Sequence, residues 1–498
     1  MKPTTLTPVS LESYFAPFRE KVVGYDQEFR SPYGPQRILY ADWTASGRLY
    51  QPIEDRMSRD LGPFVANTHT ETNATGTAMT LAYHEARHLI KQHVNASQDD
   101  VLIMTGSGMT GAVAKFQRIL GWKVPERFRD ALRNEIPEEQ RPVIFITHME
   151  HHSNHTSWLE TLADVECILP DSAGLIDLNH LEALLHQYQH RQTKVASVTA
   201  ASNVSGIQAC YRDIARLMHA HGGLCFVDFA CAGPYVEIDM HPADPAEKLD
   251  AIYLSPHKFL GGPGTPGVLV FDRELYQNRV PDHPGGGTVS WTNPWGEHQY
   301  FSDIEVREDG GTPAFLQTIR TALAIRLKEQ MGVEKMMQRE HEMLRILFDG
   351  LDQIPGLHVL ADGHRDRLGV ISFYLDNLHF NLGVKLLNDR FGIQTRGGCS
   401  CAGTYGHYLL NIPREVSRNI TQQIDAGSLT NKPGWIRLSI HPIMTDGEMQ
   451  QLLEGLDAVA RNHVRWGEDY RYQPQSNEFV HHAGEDPLRG QVQQWMRL

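Results

Sequence analysis

From about residue 100 the chain alternates between short apolar runs and amphipathic stretches. The apolar runs are Val101–Thr105, Val143–Thr147, Val165–Leu169, Val195–Ala200, Leu224–Phe229, Ala251–Ser255 and Gly267–Phe271. They are short and often β-branched, as strands covered on both faces are. Between several of them lie helical patterns. Leu181, Leu184, Leu185 and Tyr188 follow the i, i+3, i+4, i+7 spacing, and Ile214, Leu217 and Met218 repeat part of it. This alternation predicts βαβ units, an α/β class and a large doubly wound, mostly parallel sheet, with ligands at the C-terminal ends of its strands.

The rhythm changes after Gly311. The spacing predicts a long helix over Thr312–Met331, a second over Val333–Leu351, a strand at Leu368–Leu375 and a helix at Asn381–Phe391. A strand near Trp435–Ile440 and a helix from Asp446 follow. That pattern is α+β, so the expected organisation is a large ligand-binding domain over 61–311 and a smaller C-terminal domain over 312–462. Residues 1–60 are expected to pack with the small domain. The polar tail 463–498 receives no assignment.

Composition narrows the class. Hydrophobic residues make up 41% and charged residues 21% of 498, enough for a substantial core. The 46 basic and 60 acidic side chains leave a net charge of −14, which argues against a nucleic-acid partner, since displacing counterions from phosphates needs a basic face. No apolar run approaches the roughly 18 residues that span a bilayer. The first residues lack an apolar signal core, and six cysteines do not make a disulfide scaffold. The expectation is a soluble, cytoplasmic protein without membrane contact.

The candidate chemistry centres on Ser255-Pro256-His257-Lys258, followed by a glycine-rich turn. A lysine just past a buried strand can lose its proton and attack an aldehyde to give a Schiff base. Asp228 ends the strand that begins at Leu224, where a carboxylate can keep the pyridine nitrogen of pyridoxal phosphate protonated. Gly106-Ser107-Gly108-Met109-Thr110 follows the first strand and opens a helix, a place for a phosphate. His148-Met149-Glu150-His151-His152-Ser153-Asn154-His155 holds four histidines. Their spacing matches no zinc motif, so one histidine stacked on a cofactor ring is the better reading and no metal is expected.

Together these motifs resemble the pyridoxal-phosphate enzymes of the class V aminotransferase group, which have the fold-type I architecture. The likeness is greatest to group II cysteine desulfurases and selenocysteine lyases, and it extends to the desulfurase domain of molybdenum-cofactor sulfurases. It runs from about Tyr40 to Val459. The resemblance implies that Lys258 carries the cofactor, with Ser255 and His257 on its phosphate beside Gly108, Met109 and Thr110. It implies that His151 stacks on the ring and serves as acid or base, that Asn203 faces the phenolic oxygen, and that Asp228 meets the ring nitrogen. In a homodimer, the loop Gly310-Gly311-Thr312-Pro313 would bring Thr312 to the neighbouring subunit's phosphate, and the His69 loop would serve the substrate side. Arg437 would clamp the substrate carboxylate.

Thr395-Arg396-Gly397-Gly398-Cys399-Ser400-Cys401-Ala402 selects among class V chemistries. In similar desulfurases an arginine precedes the persulfide cysteine by five positions and an alanine follows it, which here indicates Arg396 and Cys401. The implied reaction removes sulfur or selenium from L-cysteine or selenocysteine, leaves a persulfide on Cys401, releases alanine and hands sulfur to an acceptor protein. Competing readings are a C–S lyase, epimerase or aminotransferase without a nucleophilic cysteine, and a non-catalytic or sulfur-relay partner that binds pyridoxal phosphate for structure. Three departures stand out: Cys231 replaces a frequent glutamine, Asn67-Thr68-His69-Thr70 lacks a following arginine, and the stretch Tyr405–Lys432 is longer than in typical desulfurases.

Overall fold

The structure, a computed structural model, describes residues 10–484 and 488–497. It divides into two compact units. The larger comprises Ser46–Ser202 and Gln208–Val333. The smaller comprises the described residues up to Ala45, Asn203–Ile207 and those from Glu334 onward.

The seven apolar runs become seven strands of one sheet in the larger unit. Helix α1 (Ala74–His93), capped by Asn73 Oδ1 accepting the Gly76 amide at 2.9 Å, precedes β1 (Asp100–Thr105). There follow α2 (Gly108–Ile119), β2 (Val143–Thr147), α3 (His152–Leu159), β3 (Asp164–Ile168), α4 (Leu178–Gln187) and β4 (Lys194–Thr199). Next come α5 (Tyr211–Ala220), β5 (Leu224–Asp228), β6 (Ala251–Leu254), β7 (Gly267–Asp272) and α6 (Phe315–Met331). Spatial order is β1-β7-β6-β5-β4-β2-β3. Neighbours from β6 to β3 pair in parallel, while β7 runs against both β1 and β6.

Every residue of β2 and β4 is buried, which is why their sequences show no polar alternation. Helix α2 packs on β1, β6 and β7, and α5 packs on β4 and β5. The apolar face of α2 drives Phe116 into the core, 5.2 Å from the Phe226 ring and 4.8 Å from that of Phe271. Helix α6 lies against α1 and belongs to this unit, so the smaller unit begins at Glu334 rather than at 312. The periodicity of α6 reveals an apolar face but not the partner that covers it.

The smaller unit continues with α7 (Val333–Leu351), β8 (Leu357–Val359), β9 (Val370–Leu375), α8 (Phe380–Phe391) and β10 (Arg396–Gly398). After these come α9 (Arg414–Asp425), β11 (Trp435–Ser439) and α10 (Asp446–Gly467). The sheet is antiparallel, in the order β8-β9-β11-β10. Thr445 and Glu448 start α10 with a reciprocal capping box, and α8 packs on it. The N-terminal residues supply helix Leu11–Arg19, a hairpin (Glu28–Ser31 with Gly34–Arg37) and Leu39–Tyr40, which pairs in parallel with Ile393–Gln394. The tail forms a second hairpin, Tyr470–Gln473 with Glu478–His481, and helix Leu488–Trp495. Within the long 405–432 stretch, α9 buries no side chain. Among the described residues no helix is long and apolar enough to cross a membrane.

Candidate active site

Lys258 sits in a single 3-10 turn, Pro256–Lys258, directly after β6. Its amide donates to the Ser255 carbonyl at 3.0 Å, which closes the turn. The neighbouring strand β5 ends in Asp228, in register with Tyr253 on one side and Thr199 on the other. Asp228 is 3% exposed, and its Oδ1 accepts the Ala230 amide at 2.8 Å. Burial pushes this carboxyl up to about 6, while that hydrogen bond and the charge of Lys258 pull the other way. A cation against the carboxylate would keep it ionised, which is the environment a protonated ring nitrogen offers.

The helix start beside this turn is built for close approach. Ser255 Oγ accepts the Met109 amide at 2.8 Å. Gly108 has φ +61°, and a Cβ there would lie 2.9 Å from Ser255 Oγ and 3.4 Å from His257 Nε2. Glycine takes that conformation without strain and leaves that spacing open. Thr110 Oγ1 and Ser153 Oγ are 2.6 Å apart, so two hydroxyls meet near the N-terminus of α2, whose amides and dipole favour an anion. Burial and the Lys258 charge lower His257 to about 4, leaving it neutral at neutral pH. These donors, the glycine cradle and the buried carboxylate fit pyridoxal phosphate.

His151 is the N-cap of α3. Its Nδ1 accepts the Ser153 amide at 3.1 Å, so the neutral ring carries its proton on Nε2. The preceding Glu150 received no separate role from the sequence, yet it organises this corner. Its Oε1 accepts from Thr147 Oγ1 at 2.7 Å and the Thr199 amide at 2.9 Å, and its Oε2 accepts from Asn154 Nδ2 at 2.7 Å. Burial, reinforced by the Asp228 charge, pushes Glu150 up to about 7 against those hydrogen bonds. A glutamate between two strand-end motifs, with Thr147 and Asn154 at hand, was the signal for it.

In the smaller unit, Arg437 on β11 is buried, its side chain 4% exposed. Its Nη1 donates to the Asn203 carbonyl at 3.1 Å and its Nη2 to Asp42 Oδ1 at 3.0 Å, while its buried Nε–H has no hydrogen-bond partner among the described residues. Arg396 on β10 reaches the other oxygen of Asp42, with Nη2 at 2.9 Å and Nε at 3.1 Å. Asp42 had no part in the sequence reading. Its local cue was a lone acid between Ala41 and Trp43.

Cys401 is an exposed free thiol, whereas Cys399 is half-buried. The two do not alternate along an extended strand. Ser400 (φ +51°) and Cys401 (φ +56°) both adopt the left-handed region, and the Ala402 amide closes onto the Cys399 carbonyl at 2.9 Å. Consecutive left-handed non-glycine residues are costly, and here they turn the Cys401 side chain outward. Asn203 Nδ2 anchors this turn by donating to the Ser400 carbonyl at 2.7 Å. On its other side Ala402 is fully buried, and Tyr405 OH lies 3.1 Å from Ser205 Oγ.

The predicted residues thus fall into groups. Lys258, Asp228, Ser255, His257, Gly108, Met109 and Thr110 gather in the larger unit with His151 at the adjoining strand ends. Asn203, Arg396, Cys401 and Arg437 gather in the smaller unit. Thr312 and His69 are exposed on loops of the larger unit: the Gly311 amide donates to the Gly286 carbonyl at 2.8 Å, and His69 Nε2 lies 3.6 Å from a Cβ built on Gly287. Cys231 is buried, its Sγ 3.7 Å from the Ser202 carbonyl.

The model of the aminotransferase class-V family matches residues 39–452. A probable cysteine desulfurase of Staphylococcus epidermidis is 28% identical over 371 residues, covering 74% of this chain and 84% of that protein. One of Staphylococcus aureus is 27% identical over 371 residues, with the same coverage. The apo structure of a cysteine desulfurase from Thermococcus onnurineus NA1 superimposes with a TM-score of 0.71 at 20% identity, covering 90% of this chain and 98% of that one. The Escherichia coli cysteine desulfurase CsdA gives 0.69 at 19% identity, with the same coverage.

Proposed function

The chain belongs to the aminotransferase class-V family, and on that premise we propose that it is a pyridoxal-phosphate-dependent cysteine desulfurase. The substrate is L-cysteine, with selenocysteine as a second substrate, and the products are alanine and a persulfide on Cys401 that passes to an acceptor protein. The observation that carries this reading is the exposed Cys401, presented on a strained turn five residues after Arg396.

Lys258 would hold the cofactor covalently, Ser255, His257, Gly108, Met109 and Thr110 its phosphate, Asp228 its ring nitrogen and His151 its ring face. When bound, the cofactor supplies an electron sink for bond breaking next to the substrate's α-carbon. Asp228, buried and raised, keeps that sink charged by pairing with a cation. Once the substrate's amine has displaced it from the cofactor, Lys258 Nζ would be free to take the proton from the substrate's α-carbon. His151, with its proton fixed on Nε2 in the neutral ring, offers a donor at one defined atom. Arg437 would offer its guanidinium to the substrate carboxylate, a charge-assisted contact that fixes orientation.

Cys401 as thiolate attacks the substrate sulfur. An S–S bond forms as the Cβ–S bond breaks, the electron pair left on Cβ takes a proton, Lys258 returns a proton to the α-carbon, and alanine leaves. The exposure of Cys401 serves the second half of the cycle, since an acceptor thiol must reach the terminal sulfur. We further propose a homodimer in which the exposed Thr312 and His69 loops complete the neighbouring subunit's site. The test is product analysis. Purified protein with L-cysteine and a reductant is expected to release alanine and sulfide in equal amounts, and pyruvate with ammonia instead would place it among C–S lyases.

A further inference from the structure

Asp42 joins two cations that would otherwise repel. Arg396 and Arg437 are register partners across β10 and β11, so their side chains leave the same face of the sheet. Like charges in directly opposite positions destabilise a sheet unless something stands between them. Asp42 supplies that carboxylate from a fixed backbone. The Ser439 amide donates to the Ala41 carbonyl at 2.7 Å, the Thr44 amide to Ser439 Oγ at 2.9 Å, and the Ala41 amide to the Gln394 carbonyl at 3.0 Å. From this segment Oδ1 takes Arg437 and Oδ2 takes Arg396.

The contacts close into a ring. Arg437 Nη1 donates to the Asn203 carbonyl, and Asn203 Nδ2 donates to the Ser400 carbonyl, next to Cys401. Arg396 enters the same loop from its other end, through β10. Two guanidiniums and one carboxylate leave a single positive charge, the complement of one substrate carboxylate.

We propose that Asp42 is a positioning residue: it sets Arg437 and Arg396 about one carboxylate and so ties recognition of the substrate carboxylate to the placement of the Cys401 turn. The ligand's identity rests on the desulfurase reading, but the tie between Asp42 and the turn does not.

Asp42→Asn keeps the shape and removes the charge. In the holoenzyme it is expected to raise KM for L-cysteine about tenfold. It should also raise the rate of Cys401 alkylation by iodoacetamide at least threefold without substrate, scored against Cys210 in the same digest so that general loosening cancels. Asp42→Glu, which restores the charge, should bring that ratio back toward the parent value. A Cys401 to Cys210 ratio within twofold of the parent in Asp42→Asn overturns the tie. A shifted ratio with unchanged KM overturns the clamp half of the proposal. If the parent protein does not turn over cysteine, the desulfurase reading fails while the alkylation ratio still decides the tie. Should Asp42→Asn not fold, Arg396→Lys breaks the two-pronged pairing from the other side, and an unchanged ratio there also overturns it.

Discussion

Asn203 donates its side-chain amide to the Ser400 carbonyl, 2.7 Å away, and so holds the residue on which the Cys401 turn pivots. The resemblance to desulfurases implies that this asparagine faces a ring oxygen of the cofactor. In this structure its side-chain amide serves the cysteine loop, and its backbone carbonyl serves Arg437. Asn203→Ala removes one hydrogen bond, a net effect of about 1 kcal/mol, or about fivefold in rate. The expected outcome is a fall of that size in sulfide release from cysteine, with cofactor absorbance retained. The measurement is initial rate against cofactor content.

Asp228 gives a stability prediction of opposite sign to its effect on function. Its carboxyl rises from the usual 3.8 to about 6 on folding, because burial disfavours the charge. A raised acid holds its proton more tightly folded than unfolded, so its contribution is full below about 4 and is lost as pH climbs through about 6. Cofactor-stripped Asp228→Asn should therefore be more stable than the parent at pH 7 by about 3 kcal/mol, a gap that closes near pH 4. The same variant should bind pyridoxal phosphate poorly. Urea unfolding at several pH values checks the first half, and absorbance after reconstitution checks the second.

Lys258 and Gly108 separate covalent from steric roles. Borohydride treatment of the parent should fix pyridoxal phosphate on Lys258, read as a mass adduct on its peptide, and Lys258→Ala should show none. Gly108→Ala puts a Cβ 2.9 Å from Ser255 Oγ at a backbone angle that L side chains rarely adopt. It should weaken cofactor retention on dialysis while leaving Lys258 reactive at saturating cofactor.

Arg437→Ala should cost about 2–5 kcal/mol of cysteine binding, since a carboxylate loses its charged partner. That is a rise in KM of about thirtyfold or more. Cofactor absorbance should be unchanged, because the side-chain bonds of Arg437 go to Asn203 and Asp42. Steady-state kinetics together with a spectrum of the resting protein decide it.

What the sequence makes legible follows from how far apart the partners lie. All seven strands of the large sheet could be read because strands buried on both faces announce themselves within four to six residues. The Lys258 turn and the Gly108 helix start were legible for a similar reason, each being a short local motif. Asp42 was not, because its partners Arg396 and Arg437 are 354 and 395 residues away in the chain. The smaller unit resumes at Glu334 rather than at 312, because the apolar spacing in α6, a helix buried on most sides, cannot say that α1 covers it. The tail hairpin was hidden by its mixed polar and aromatic composition. The resemblance favoured Cys401 over Cys399 through the spacing after Arg396 and the following alanine, whereas the outward turn of Cys401 needed φ angles, since alternation in an extended strand would have turned both thiols the same way.

Mapping the persulfide tests the central claim most directly. Holoenzyme given L-cysteine without reductant is alkylated, digested and sequenced by mass spectrometry, in the parent, Cys401→Ser and Cys399→Ser. The expected result is one extra sulfur on Cys401 in the parent and in Cys399→Ser, and no persulfide and little sulfide release in Cys401→Ser. Full desulfuration by Cys401→Ser, or extra sulfur found only on Cys399, would contradict the account.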